Sequence, residues 1–158
     1  MKKTLCYLAL LFSLCVSMTC HRENEDNHCI IHFSNRADYA IYVSCKDLYN
    51  RNDTAPVYGF PHNLNDIKIN PNEINTNSLV AFSWESMFSD ERISPIDTLM
   101  IFVFEAEKVE AGVSPKEAVI ARYDVSLEDL QCNNWLLSYP PNSNMAHIKM
   151  WPPYQSYK

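Results

Sequence analysis

The sequence predicts a mostly β domain, an antiparallel β-sandwich of about seven strands with one or two short helices. A partly open β-barrel is the alternative. Three observations point there. Short apolar runs alternate with turn clusters along residues 29–158. The run Thr98–Phe104 is apolar without alternation, as a strand covered on both faces should be. Two further strand candidates end at Pro140-Pro141 and Pro152-Pro153, where a missing N–H stops a ladder. At 158 residues the chain has room for one sizeable core and is too short to expect two.

Taken in order, Cys29–Ser34 is the first strand and Asn35–Asp38 a turn, because Asn and Asp bond their own backbone. Tyr39–Cys45 follows, with Ile41, Val43 and Cys45 on one face, so the pair reads as a hairpin. Residues 46–76 hold Pro56, Pro61 and Pro71 and many asparagines; only Ile67–Ile69 resembles a strand there. Asn77–Trp84 is a strand candidate around Leu79–Phe82, and Glu85–Glu91 a helical turn. Glu105–Ala111 is helix-forming, with Gly112 placed to end it. Ser114-Pro115-Lys116-Glu117 starts a helix, yet Val119, Ala121, Tyr123 and Val125 alternate with polar residues. The combination predicts one helical turn feeding a strand. Ser126–Asp129 is a second capping box opening a brief helix. Trp135–Tyr139 and Ala146–Trp151 are the last strands.

The N-terminus carries an address. Lys2 and Lys3 precede an uncharged apolar stretch, Leu5–Val16, too short to span a bilayer. Cys20 follows at the point where hydrophobicity stops, and His21–Asn27 are polar and charged. This arrangement resembles a bacterial lipoprotein signal, although the usual Leu three places upstream of the cysteine is missing. Cys15 is a rival acceptor. The resemblance implies cleavage before Cys20 and acylation of its thiol. The expected organisation is a signal peptide at 1–19, an acidic tether at 20–28 and one β-rich domain at 29–158. Cleavage removes two lysines and no acid, so the net charge moves from −6 to −8. Glu23–Asp26 resembles the acidic export tag of surface lipoproteins in the Bacteroidota; a plain solvated linker is the other reading. Asp53-Thr54-Ala55 fits that phylum's short O-glycosylation pattern, with Thr54 in a loop, and Asp97-Thr98-Leu99 fits it at a less accessible place. The stretch from Asp97 to Pro141, with Arg122-Tyr123-Asp124 and Leu127-Glu128-Asp129-Leu130, resembles small uncharacterised lipoproteins of the same group. Those carry no known activity. The expected location is the outer membrane, anchored by lipid, on the cell-surface or periplasmic face.

Composition removes several function classes. Gly59 and Gly112 are the only glycines, which excludes dinucleotide fingerprints, phosphate loops and nucleophile elbows. The acidic balance argues against a nucleic-acid surface. No cofactor is implied. His28 and His32 share a strand face without further ligands at metal spacing, so no metal is expected. Cys132 and His147 lack a flanking protease pattern, and Cys132 reads as a buried inert thiol.

In the hairpin register Phe33 faces Ile41, Ile31 faces Val43 and Cys29 faces Cys45. Opposed β-carbons ~4.5–5.5 Å apart are close to disulfide distance. Cys29 and Cys45 therefore read either as a disulfide or as two reduced core residues. Trp135, Tyr139, Trp151, Tyr154 and Tyr157 concentrate among prolines at the C-terminus. Either they close the core, or Trp151 and Tyr154 present flat faces to a sugar or peptide. By alternation Trp151 falls on the polar side of its strand. The leading expectation is a non-catalytic binding or assembly module. It is held to the membrane by its lipid and meets an envelope protein or glycan. The alternative is a glycan- or peptide-directed hydrolase using residues such as Glu105, Asp124 and His147.

Overall fold

The computed structural model describes residues 27–46, 64–89 and 96–158. The expected sites at Cys20 and Thr54 lie outside those residues. Eight strands are described: β1 His32–Asn35, β2 Ile41–Lys46, β3 Lys68–Ile69, β4 Ile74–Asn75, β5 Leu99–Glu105, β6 Val119–Val125, β7 Leu136–Tyr139 and β8 Lys149–Trp151. Five short helices accompany them: α1 Leu64–Ile67, α2 Trp84–Ser89, α3 Ala106–Glu110, α4 Pro115–Ala118 and α5 Leu127–Cys132. Single 3-10 turns follow at Ser143–Met145 and Tyr154–Tyr157. The strands form two sheets, β4-β1-β7 and β3-β2-β5-β6-β8, and no barrel closes among the described residues. All neighbours are antiparallel except β1 and β7.

Strand β5 is the centre of the larger sheet, as its unbroken apolar run requires. Leu99, Ile101 and Val103 face the inter-sheet core with Ile41, Val43, Tyr123 and Val125, where Phe33 and Leu137 meet them from the smaller sheet. The Phe33 and Tyr123 rings stack across the interface with centroids 6.3 Å apart. Met100, Phe102 and Phe104 point the other way and are covered by Ala106, Val109 and Ala118 of α3 and α4. The domain is therefore a sandwich with a helical third layer on part of its larger sheet.

Local chemistry ends the elements where the sequence says it should. Gly112 has φ +75, and its N–H donates to the Val109 carbonyl while that of Val113 donates to Lys108, both at 3.0 Å. This double bond pattern stops α3 with a left-handed residue that only glycine adopts without strain. Helix α4 is a single turn that runs directly into β6. At α5 the Ser126 hydroxyl accepts from the Asp129 N–H, and the Asp129 carboxylate accepts from the Ser126 N–H.

Four expectations are corrected. β1 and β2 do not form a hairpin: they belong to different sheets. Buried Asn35 organises the crossing by donating through Nδ2 to the carbonyls of Tyr39 and Ile69 and accepting from the Ala37 N–H. An apolar alternation interrupted by Asn-Arg-Ala-Asp is equally the signature of a corner between sheets. The register that set Cys29 against Cys45 is therefore absent; Cys45 pairs with Ile101 instead, and both residues stand as thiols. Residues 77–84 are not a strand: Val80 bridges Ile30 once and Trp84 already opens α2. The last strand is also shorter than expected, because 143–148 is spent on a 3-10 turn and bends before β8.

Candidate functional site

The edge strand β8 decides how the C-terminal aromatics are used. Its register sets Trp151 opposite Arg122, Met150 opposite Tyr123 and Lys149 opposite Asp124. Alternation turns Met150 inward, where it packs on the core, and leaves Lys149 and Trp151 on the outer face. Trp151 is 55% exposed, whereas Trp84 and Trp135 are 1% and 6% exposed. Beside the indole runs a charged row. The Asp124 carboxylate accepts from Arg122 Nε at 2.5 Å through one oxygen and meets Lys149 Nζ at 3.0 Å through the other. Arg122 and Asp124 are buried on the sheet face; Lys149 is exposed. Burying this pair is tolerable because the carboxylate is matched by two cations.

The tail beyond Trp151 divides. Tyr157 turns in, its ring edge-on to Tyr139 at 6.1 Å, and burial pushes its phenol up to about 12. Tyr139 is raised further by burial and by its hydroxyl contact with Tyr39 at 2.9 Å. These tyrosines clamp the tail to the fold. Tyr154 is half-buried, with Lys158 Nζ 5.3 Å from its ring centroid. Among the described residues no ring contact joins Trp151 to Tyr154, so the two expected ligand-contact residues do not form a stacked pair.

Glu105, Asp124 and His147 do not form one site. Asp124 lies across from Met100, five residues along β5 from Glu105, or about 17 Å of strand. His147 Nε2 meets Asp129 Oδ1 at 3.1 Å, so its partner is the carboxylate that caps α5. Glu105 instead helps to line a recess of about 340 Å³ with Tyr39, Lys68, Glu107 and Glu110. Two of the carboxylates there, Glu105 and Glu110, are charge-paired. Lys68 Nζ lies 2.5 Å from Glu110 and Lys108 Nζ 2.8 Å from Glu105. Hydrogen bonds from Lys68 and then from Tyr42 hold the Glu110 carboxyl below its usual range, and Glu110 holds the Lys68 ammonium above its own. A general acid needs the opposite shift.

Sequence reasoning missed one constellation. His28, expected in the tether, is built into the domain. Its backbone N–H donates to Glu85 Oε2 at 2.9 Å, and its Nδ1 lies 2.6 Å from Oε1. Its ring stacks on Trp135 at 4.2 Å. Burial alone would raise the Glu85 carboxyl; the His28 backbone and ring outweigh it and hold the group below the usual range. Ser83 Oγ also reaches Glu85 Oε2, at 3.4 Å. A Ser, a His and an acid thus meet, but serine and histidine bind the same carboxylate rather than each other, which is not the geometry of an activated nucleophile. Partners 57 positions apart leave no sequence signal. Nor is Cys132 the buried thiol expected: it is exposed at the end of α5.

Among the described residues no group of three metal-ligating side chains converges, and no helix is long and apolar enough to cross a membrane. Comparison with known protein families, with curated proteins and with solved structures finds no match.

Proposed function

We propose that the chain is a lipid-anchored envelope protein that acts as a binding module, with the β8 edge as its ligand face. The ligand class that fits is a glycan. One observation carries this reading: a tryptophan 55% exposed on an ordered strand, flanked by an Asp124–Lys149 ion pair. An indole face packs against the C–H face of a pyranose, while neighbouring charged groups bond its hydroxyls. Attachment through Cys20 supports the reading from the sequence side, since it would place the module among envelope polysaccharides.

The test is Trp151→Ala, measured by titration calorimetry against envelope polysaccharide fractions and peptidoglycan fragments. Because more than half of the side chain is exposed, stability should fall by much less than the ~3–5 kcal/mol that truncating a buried tryptophan costs. Binding seen with the wild type should be lost. Binding of the variant at wild-type strength would remove β8 as the site. Binding of envelope proteins but not of glycans would replace the ligand class.

A further inference from the structure

At the Leu99 end of the larger sheet the surface becomes apolar. Val80 and Phe82 are 57% and 73% exposed. They rim a recess of about 460 Å³ whose wall includes Cys45, Trp84, Met87 and Leu99. Both line the same recess and so belong to one surface. An apolar pair this exposed, set on an apolar recess, marks a contact surface rather than scattered surface hydrophobics.

Its position in the chain identifies the contact. The segment carrying Val80 and Phe82 is bonded to the first residues of the domain. The Ile31 N–H donates to the Leu79 carbonyl, that of Ala81 to Cys29 and that of Trp84 to His28, all at 2.9–3.0 Å. The Cys29 thiol donates to the Phe82 carbonyl at 3.2 Å, and the His28–Glu85 clamp closes the junction. The N-terminal segment therefore enters the fold beside the apolar pair. From Cys20 to Asn27 is seven residue steps, at most about 25 Å when fully extended.

We propose that Val80 and Phe82 dock on the lipid surface that holds Cys20, with Phe82 entering the interfacial layer. This rests on the lipid-anchor reading given above. A leash this short keeps the junction within about 25 Å of the bilayer, so the patch meets lipid at high effective concentration. Exposed apolar side chains such as Phe bury into the boundary between headgroups and acyl chains. Lys46, at the rim of the same recess, is of the sign that meets lipid phosphates. The domain then stands on the membrane in one orientation instead of swinging freely.

The experiment uses full-length, lipidated protein purified from membranes, with Phe82→Trp as reporter. The protein is placed in phosphatidylethanolamine–phosphatidylglycerol vesicles whose acyl chains carry bromine. The added tryptophan, read as the difference from wild type, should shift to the blue and be quenched. If the protein floats with the vesicles while the reporter stays water-exposed and unquenched, the docking is overturned and the anchor stands. A blue shift without bromine quenching would mean a second copy on the patch, and also overturns it. If neither wild type nor Cys20→Ser floats, the anchor fails and the docking fails with it. Phe82 is mostly exposed, so the reporter should leave the thermal midpoint unchanged; Phe82→Asp, which keeps the anchor, should shorten the rotational correlation time of the vesicle-bound domain, and an unchanged time would overturn the docking.

Discussion

The two ends of β5 are built from different chemistry. Leu99 lines the apolar recess beside Val80, Phe82 and Trp84. Six residues away, or about 20 Å, Glu105 lines the charged recess with Lys68, Glu107 and Glu110. One end is held by packing and a half-buried clamp. The other presents ion pairs between side chains that are a third to a half exposed, a class of contact that adds little to stability. The contrast teaches that burial, not the number of charged contacts, decides which end the fold depends on.

The strongest way to break this comparison is at Trp84. It is 1% exposed, and its buried Nε1–H has no hydrogen-bond partner, so it stabilises by filling space alone. Trp84→Ala should cost about 3–5 kcal/mol, measured by urea denaturation, and Trp84→Phe much less. A small cost for the alanine variant would mean that the apolar end is not structural.

Next comes the clamp. The folded Glu85 carboxyl titrates below its ordinary value of 4.5. Its contribution is therefore complete above that pH and is lost as pH falls through the lowered folded value. Glu85→Gln should destabilise at neutral pH and flatten the acid limb of the stability profile between about pH 5 and 3. Parallel profiles for the two proteins would remove the clamp from the account.

The smallest effect is expected at the opposite end. Lys68→Met should leave the thermal midpoint within error of the wild type. It should raise the Glu110 titration, followed by carboxyl-carbon NMR, toward 4.5, because the lysine is the first cause of the lowering. A large loss of stability would show that the exposed recess is structural after all.

What was legible in the sequence followed from local chemistry. β5 showed itself by an apolar run that no half-exposed strand could carry. The ends of α3 and α5 showed in Gly112 and in the Ser126–Asp129 box, because caps are satisfied by residues a few positions away. The outward turn of Trp151 was readable from its alternation in step with His147 and Lys149. The β1–β2 hairpin failed because pairing partners are chosen by the whole sheet: alternation reports a face, not a neighbour. Val80 and Phe82 misled for a related reason. The apolar run Leu79–Phe82 reads as the core of a strand, yet only Leu79 is fully buried. The His28–Glu85 clamp and the division of β5 into two unlike ends depend on contacts between distant segments, and no local pattern encodes them.

The smaller sheet also sets an order of events in folding. β1, near the start of the domain, lies parallel to β7, with His32 beside Leu136. The Tyr39–Tyr139 hydroxyl contact spans another 100 positions. Closing loops of that length costs entropy before any pairing returns it, and such topologies fold slowly. Until the segment around Leu136–Tyr139 arrives, β1 has its parallel side open and Phe33 has no Leu137 to pack beside. A chain emerging N-terminus first can pair β2, β5 and β6 early, but its smaller sheet stays incomplete until nearly all of the chain is available.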